Sequence, residues 1–181
     1  KLEIFIDIGS HMGFYSINLS KLIKIIYSFE PILENYNQLK KNIEINDYKN
    51  IKTYNLALSN IKKEVEMWVP NKNKTGGFSI YNEKDEELKT YKPNSLHKEK
   101  VLSDILDSIL ILKNKKIAIK IDVERHERNV IEGAVNLLKE NDVLLQVEIF
   151  ESRKEEVFEV LKILGYKLID KINKDHYFKN Y

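Results

Sequence analysis

The chain has 181 residues, enough for one domain to bury roughly 70% of its unfolded surface without disulfides or a structural metal. With 30 Lys and Arg against 28 Asp and Glu, the formal net charge is +2, which excludes the strong basic field of a nucleic-acid or anionic-membrane binder. The absence of cysteine excludes disulfides and thiolate metal sites, and the apolar runs are too short to span a bilayer. We therefore expect a single cytoplasmic domain over 1–181. Because Lys1 opens directly on a strand without a methionine, we also expect its N-terminal elements to be missing.

Short apolar runs alternate with helix-period segments, the pattern of βαβ units around a mainly parallel sheet. The first strand is expected from Glu3 to Ile8, then a helix from Phe14 to Lys24 and a second strand from Ile25 to Phe29. Glu30-Pro31 ends that strand, and "ENYNQLKKNIEIN" carries the next helical stripe through Tyr36, Leu39 and Ile43. "IKTYNLAL" reads as one third strand and "EVEMWV" as a further one. From Pro70 to Lys100 the pattern fades into Asn, Lys, Gly and Glu, which predicts a long loop or lid hinged at Gly76-Gly77. "SDILDSIL" predicts a short helix capped by Ser103, and "KIAIKID" a β-branched strand ending in acid. A helix from Arg128 to Glu140, the strand "VLLQVEIF", a helix from Lys154 to Leu164 and a hairpin of "YKLIDKI" with "HYFKN" complete the chain.

Ligands of open α/β sheets bind beyond the carboxyl ends of the strands, so Asp7, Glu30, Ala57, Asp122 and Glu148 should face one crevice. In "FIDIGSHMGFYS", Gly9 and Gly13 let the chain turn sharply and let a ligand approach the backbone. Gly9-Ser10-His11-Met12 also spells a common tag remnant, but its place inside a strand-turn-helix pattern reads as native. The stretch is D-x-G-x-x-x-G and lacks the middle glycine of the dinucleotide fingerprint, which disfavours a nicotinamide oxidoreductase. A carboxylate at Asp7 is awkward beside a pyrophosphate and useful beside a ligand carrying an ammonium and a sulfonium.

These residues resemble the FkbM-type S-adenosylmethionine-dependent methyltransferases. The likeness runs in order through "DIGSHMGFYS", "FEPILENYNQLKKNIEIN", "YNLALSN", "TGGFS", "VLSDIL", "IKIDVERHERNVIEGA" and "LQVEIF". The resemblance implies a Rossmann-like class I fold, with a mainly parallel seven-stranded sheet, helices on both faces and an antiparallel terminal strand. It implies S-adenosylmethionine as cofactor, held by the turn Asp7, Gly9, Ser10, His11 and Gly13 with Tyr15. Glu30 and Pro31 would flank the ribose, and Ala57 to Ser59 the adenine, with Asp122 on the cofactor side.

Methyl transfer to oxygen requires alignment, exclusion of water and a base for the hydroxyl proton. Asp122, Glu124 and His126 are the candidate bases beside Glu127, with Lys120 as a neutralising partner of Asp122 and Glu148 as an acceptor-orienting acid. No spacing among them demands a metal, although oxygen ligands could hold Mg²⁺. Phe14, Tyr15, Trp68 and Phe78 could line an acceptor pocket for a small molecule or glycan; no nucleic-acid partner is expected. Where the family has glycine in K-x-D-V-E-G-x-E, this chain has Arg125. We expect ordinary backbone there, with Glu124 and Glu127 holding the guanidinium and Arg125 facing the acceptor. A cofactor-binding module that has lost catalysis is the alternative this substitution raises.

Overall fold

A computed structural model of the chain describes residues 2–70, 79–80 and 96–181. β1 (Ile4–Ile8) is buried along its whole length and pairs in parallel with β2 (Ile25–Phe29) on one side and β8 (Lys116–Ile121) on the other. β3 (Ile51–Tyr54) extends the sheet beyond β2, and β9 (Asp142–Glu148) extends it beyond β8. The hairpin of β10 (Lys167–Ile172) and β11 (Asp175–Lys179) closes the far edge, with β11 antiparallel to β9. The resulting seven-stranded order is β10-β11-β9-β8-β1-β2-β3, with only β11 running against the rest, the antiparallel terminal strand that the family resemblance implies.

α1 (Phe14–Leu19) and α2 (Leu33–Ile45) connect strands stepping one way from β1. α4 (Glu127–Glu132) and α5 (Val135–Glu140) connect strands stepping the other way, from β8 to β9. Right-handed crossovers therefore put the two pairs on opposite faces. Ile6, Ile117, Ile119, Val143, Leu145 and Val147 form the floor of the larger core, on which Val130, Ile131, Leu137 and α6 (Lys154–Ile163) also pack.

The run "IKTYNLAL" is two strands in two sheets, because Asn55 donates to the carbonyls of Glu30 and Pro31 at 2.9 Å and turns the chain after Tyr54. Ala57–Leu58 forms β4 and joins a second sheet of order β4-β7-β5-β6, with β5 at Lys63–Pro70, β6 at Ser79–Ile80 and β7 at Leu96–Asp104. Ser103 lies in β7, its hydroxyl 2.8 Å from the Ile61 carbonyl, and Asp104 accepts from Ile105 N and Ser108 Oγ at the start of α3 (Leu106–Ile109). The first helix stops at Leu19, five residues short of the expected end at Lys24.

The segment expected as a loop lies mostly outside the described residues, including Gly76, Gly77 and Phe78, and Leu96 to Lys100 at its end are strand.

The predicted helix from Arg128 to Glu140 is likewise two, interrupted at Gly133 and Ala134. A Cβ on Gly133 would stand 2.0 Å from the Ser59 carbonyl oxygen, so the break brings the backbone of the small sheet's first strand directly against the helix. Asp107 accepts from the backbone N–H groups of Asn136 and Leu137 and caps the second piece. Gly133→Ala is expected to destabilise the domain by about 1–3 kcal/mol, the cost of forcing a side chain into packed backbone, as read from the midpoint of urea unfolding.

Candidate functional site

The β1 to α1 turn follows from two steric demands. Gly9 has φ 77°, and a Cβ there would lie 1.9 Å from the Asp122 carbonyl oxygen at the end of β8. Gly13 has φ 91°, and its Cβ would meet Leu39 Cδ1 of α2 at 2.4 Å. Both glycines serve the sharp turn that the sequence predicts, and the close approach they permit is to the protein's own backbone and core. Asn42 of α2 donates to the Met12 carbonyl at 2.9 Å, and Ser10 Oγ lies 3.3 Å from the Phe29 carbonyl, so the turn is tied to β2 and α2.

Two acids serve the first strands differently. Asp7 is 1% exposed and lies behind the cleft, its Oδ2 accepting from Ser16 N at 3.1 Å and Ser16 Oγ at 2.5 Å. Burial raises its pKa, opposed by the Lys120 charge and the Ser16 hydrogen bonds. Glu30 lines the cleft and accepts from the backbone N–H of His11 through Oε2 and of Ile32 through Oε1, each at 2.9 Å. Its burial pushes the pKa up to about 7 despite those donors.

The cleft, of about 260 Å³, runs between these strand ends. Gly9, His11, Glu30, Pro31 and Ala57 line it from the predicted cofactor set, and Asp122, Glu124 and His126 from the catalytic one. Leu56, Leu58, Met67 and Val123 add apolar wall that no motif singled out. Ser10, Gly13, Tyr15, Ser59, Lys120 and Glu148 support it from outside the lining. Trp68 stands in β5 beneath Lys98, 5.2 Å from its ring centre, and Phe14 points to solvent at 75% exposure.

Lys120 shares a side with Asp122 as strand alternation predicts, its Nζ 2.9 Å from Oδ2 and 5.1 Å from the Tyr15 ring centre. Tyr15 is in turn 3.2 Å from Gln146 Nε2. The strand ends at Ile121, which frees Glu124 to turn back, and oxygens of Asp122, Glu124 and Glu148 come within 4.8 Å of one another. A divalent cation could bridge that spacing. Burial and the neighbouring Asp122 carboxyl raise the Glu148 pKa to about 7. His126 differs: burial and the Lys63 and Arg153 charges push its pKa down to about 4, and its Nε2 is 3.0 Å from Ser59 Oγ. At that pKa the imidazole is neutral at pH 7 and a weaker base than the Glu148 carboxylate.

Arg125 also departs from expectation. Its φ is 76° and that of Glu124 is 51°, so both residues sit in left-handed backbone. The guanidinium carbon lies 4.6 Å from the Phe150 ring centre, with Lys174 Nζ at 4.1 Å from the same ring. Glu127, 0% exposed, clamps this turn by accepting from Arg125 N at 2.9 Å, and burial pushes its pKa up to about 7. The signal for Glu127 was in the sequence, as the final acid of "DVERHE", but its action on the backbone was not.

A mainly parallel α/β sheet with a glycine turn after β1, a carboxylate after β2 and an acid cluster after β8 defines the Rossmann-like fold class. The profile of the Methyltransferase FkbM domain matches residues 7–168, and the chain belongs to that family. Comparison with curated proteins finds no match. Among solved structures, methyltransferase FkbM from Methylobacillus flagellatus KT aligns with a TM-score of 0.66 at 16% identity, covering 99% of this chain and 44% of that one. The chain thus spans less than half the length of that relative. An rRNA methylase from Streptococcus thermophilus aligns at 0.51 with 11% identity, covering 98% and 84%. A Streptococcus mutans protein in complex with SAH aligns at 0.53 with 12% identity, covering 99% and 88%. No helix among the described residues is long and apolar enough to cross a membrane.

Two outcomes are expected. Glu30 and Glu127 have folded pKa values near 7 against 4.5 unfolded, so the folded state binds protons more tightly. Their contribution is complete below the unfolded value and is lost as pH rises through 7, so the melting temperature should fall between about pH 5 and pH 8. Glu127→Gln should flatten that fall; a melting temperature rising over the interval would refute the assignment. Arg125→Gly, which relieves a left-handed non-glycine residue, should stabilise the domain by about 1 kcal/mol in urea unfolding.

Proposed function

We propose that the chain binds S-adenosylmethionine in this cleft and methylates a hydroxyl of a small molecule or glycan. The observation that carries the reading is one cleft with two unlike ends: Glu30 beside apolar wall, and Asp122 with Glu124 next to Glu148. The fit to the cofactor is good on the residues present. Glu30 Oε2 keeps a lone pair beside its His11 hydrogen bond to accept a ribose hydroxyl, while Oε1 accepts from both Ile32 N and, at 3.5 Å, Asn35 Nδ2. Pro31, Ala57, Leu58 and Met67 offer apolar surface to a purine. Asp7 Oδ1, buried and with no hydrogen-bond partner among the described residues, adds negative charge behind the glycine turn for a cationic ligand.

S-adenosylmethionine supplies a methyl carbon made electrophilic by its sulfonium. The chain must then bind it, aim the acceptor oxygen and remove that oxygen's proton. Lys120 holds Asp122 by an ion pair at 2.9 Å and so fixes one carboxylate of the pair. Glu148, with a pKa about 7, is matched to accept a proton near neutrality, and Asp122 lies beside it. Glu148, with Asp122 beside it, would take the acceptor hydroxyl's proton as that oxygen received the methyl group and would then release the proton to water. The near-neutral surface gives little attraction to a polyanion, which favours a small or glycan acceptor over RNA. A cytoplasmic site of action agrees with the cysteine-free composition.

Calorimetry with S-adenosylhomocysteine and with NADH tests the cofactor, and turnover on hydroxylated acceptors tests the reaction. Binding of NADH alone would overturn the reading. Binding without turnover of any acceptor would instead favour the cofactor-binding module to which the left-handed Arg125 points. Glu148→Gln and Asp122→Asn are each expected to lower kcat by about 10²–10⁴-fold, the range for a general base. The wild-type rate should climb with pH to a plateau above about 7, following deprotonation of the carboxylate pair.

A further inference from the structure

The wall of the cleft near β4 consists of Leu56, Ala57, Leu58 and Met67, with Pro31 opposite. Such a surface suits the faces of a purine but leaves its polar edge without side-chain partners, and a buried edge without partners is costly. Among the described residues, the polar side chains lining the cleft are those of His11, Glu30, Asp122, Glu124 and His126. Glu30 is engaged by the backbone at the end of β2, and Asp122 and Glu124 belong to the acid cluster. His126 is the one fastened to the β4 side, through Ser59.

We propose that His126 reads the adenine edge of the bound cofactor, its Nδ1 accepting the exocyclic amine in a tautomer set by Ser59, Asn60 and Glu132. The inference rests on the cofactor reading above and goes beyond it by assigning base recognition to a residue first considered as a general base. The tautomer follows from donor and acceptor accounting. Glu132 is an acceptor, with Oε1 taking Arg128 Nε at 2.8 Å and Oε2 taking Asn60 Nδ2 at 2.8 Å. That fixes the Asn60 amide, so its Oδ1 is the atom turned to Ser59 Oγ, at 3.4 Å. The Ser59 hydroxyl donates to Asn60 and therefore accepts from His126, whose Nε2 carries the hydrogen, 3.0 Å away. Nδ1 is then bare and can only accept. An acceptor there matches a 6-amino purine and opposes a 6-oxo purine, which presents an acceptor of its own.

The test compares S-adenosylhomocysteine with S-inosylhomocysteine by calorimetry on the whole chain. The wild type should bind the adenosyl compound about tenfold or more tightly than the inosyl one, since a site built to hydrogen-bond a group rejects its mismatch. His126→Gln reaches Ser59 but leaves no acceptor in place of Nδ1, and should bring the ratio to within about twofold. His126→Asn, whose Oδ1 replaces Nδ1, should retain part of the preference. Asn60→Leu, remote from the ligand, should lower the ratio by releasing the tautomer, with a smaller loss of adenosyl affinity than His126→Gln. A wild type that binds both compounds equally, or a His126→Gln variant that folds and keeps the wild-type ratio, overturns the inference while leaving the cofactor reading intact. Should His126→Gln not fold, unchanged ratios in both His126→Asn and Asn60→Leu overturn it equally. Failure of the wild type to bind S-adenosylhomocysteine at all overturns both.

Discussion

The placement of Lys120 between two carboxylates, Asp7 and Asp122, is the constraint on which the crevice depends. The ammonium is 7% exposed, a costly place for a charge, and burial lowers its pKa while the two acids more than restore it. β1 and β8 pair so that Asp7 stands beside Lys120 in register, and Asp122 follows two residues later on the same side. One cation therefore compensates an acid behind the glycine turn and an acid at the cleft mouth. Removing it would leave two carboxylates close together in a partly dry environment, where neither could ionise at little cost.

Two further acids shape the backbone on either side of that axis. Glu30 takes the amide of His11, a residue with φ 51°, and Glu127 takes the amide of Arg125, with φ 76°. Each is a buried carboxyl holding a turn in left-handed backbone, and in each the cost of burial appears as a pKa near 7. The cleft is thus lined by left-handed conformations that isolated chains rarely adopt, held by the protein's own buried carboxyls before any ligand arrives.

A division of polarity follows from the fold. On the β8 and β9 side, Asp122, Glu124 and Glu148 converge, with Arg125 and Lys174 against Phe150 nearby. On the β4 side the wall is apolar, and His126 is kept neutral by burial and by the Lys63 and Arg153 charges. The acids and His126 are separated along one cleft because β8 ends at Ile121 and the chain then swings across the opening, leaving acids at one side and His126 at the other.

The mainly parallel sheet and the acids at its strand ends, Glu30 and Asp122 among them, were legible in the sequence, because alternation and β-branched runs are local properties of the chain. Family motifs extended that reading to seven strands with an antiparallel last one, while the strand order came only from the tertiary structure. Tertiary structure alone decided the division of "IKTYNLAL" between two sheets, since the turn at Asn55 depends on carbonyls of Glu30 and Pro31, far back in the chain. It alone decided that Gly9 and Gly133 face backbone oxygens of Asp122 and Ser59, since each contact joins segments remote in sequence. The left-handed backbone of Arg125 was signalled by the glycine the family has there, though ordinary backbone was expected. The low proton affinity of His126 was invisible beforehand, because it follows from burial and from charges on other elements, quantities that exist only once the chain has closed on itself.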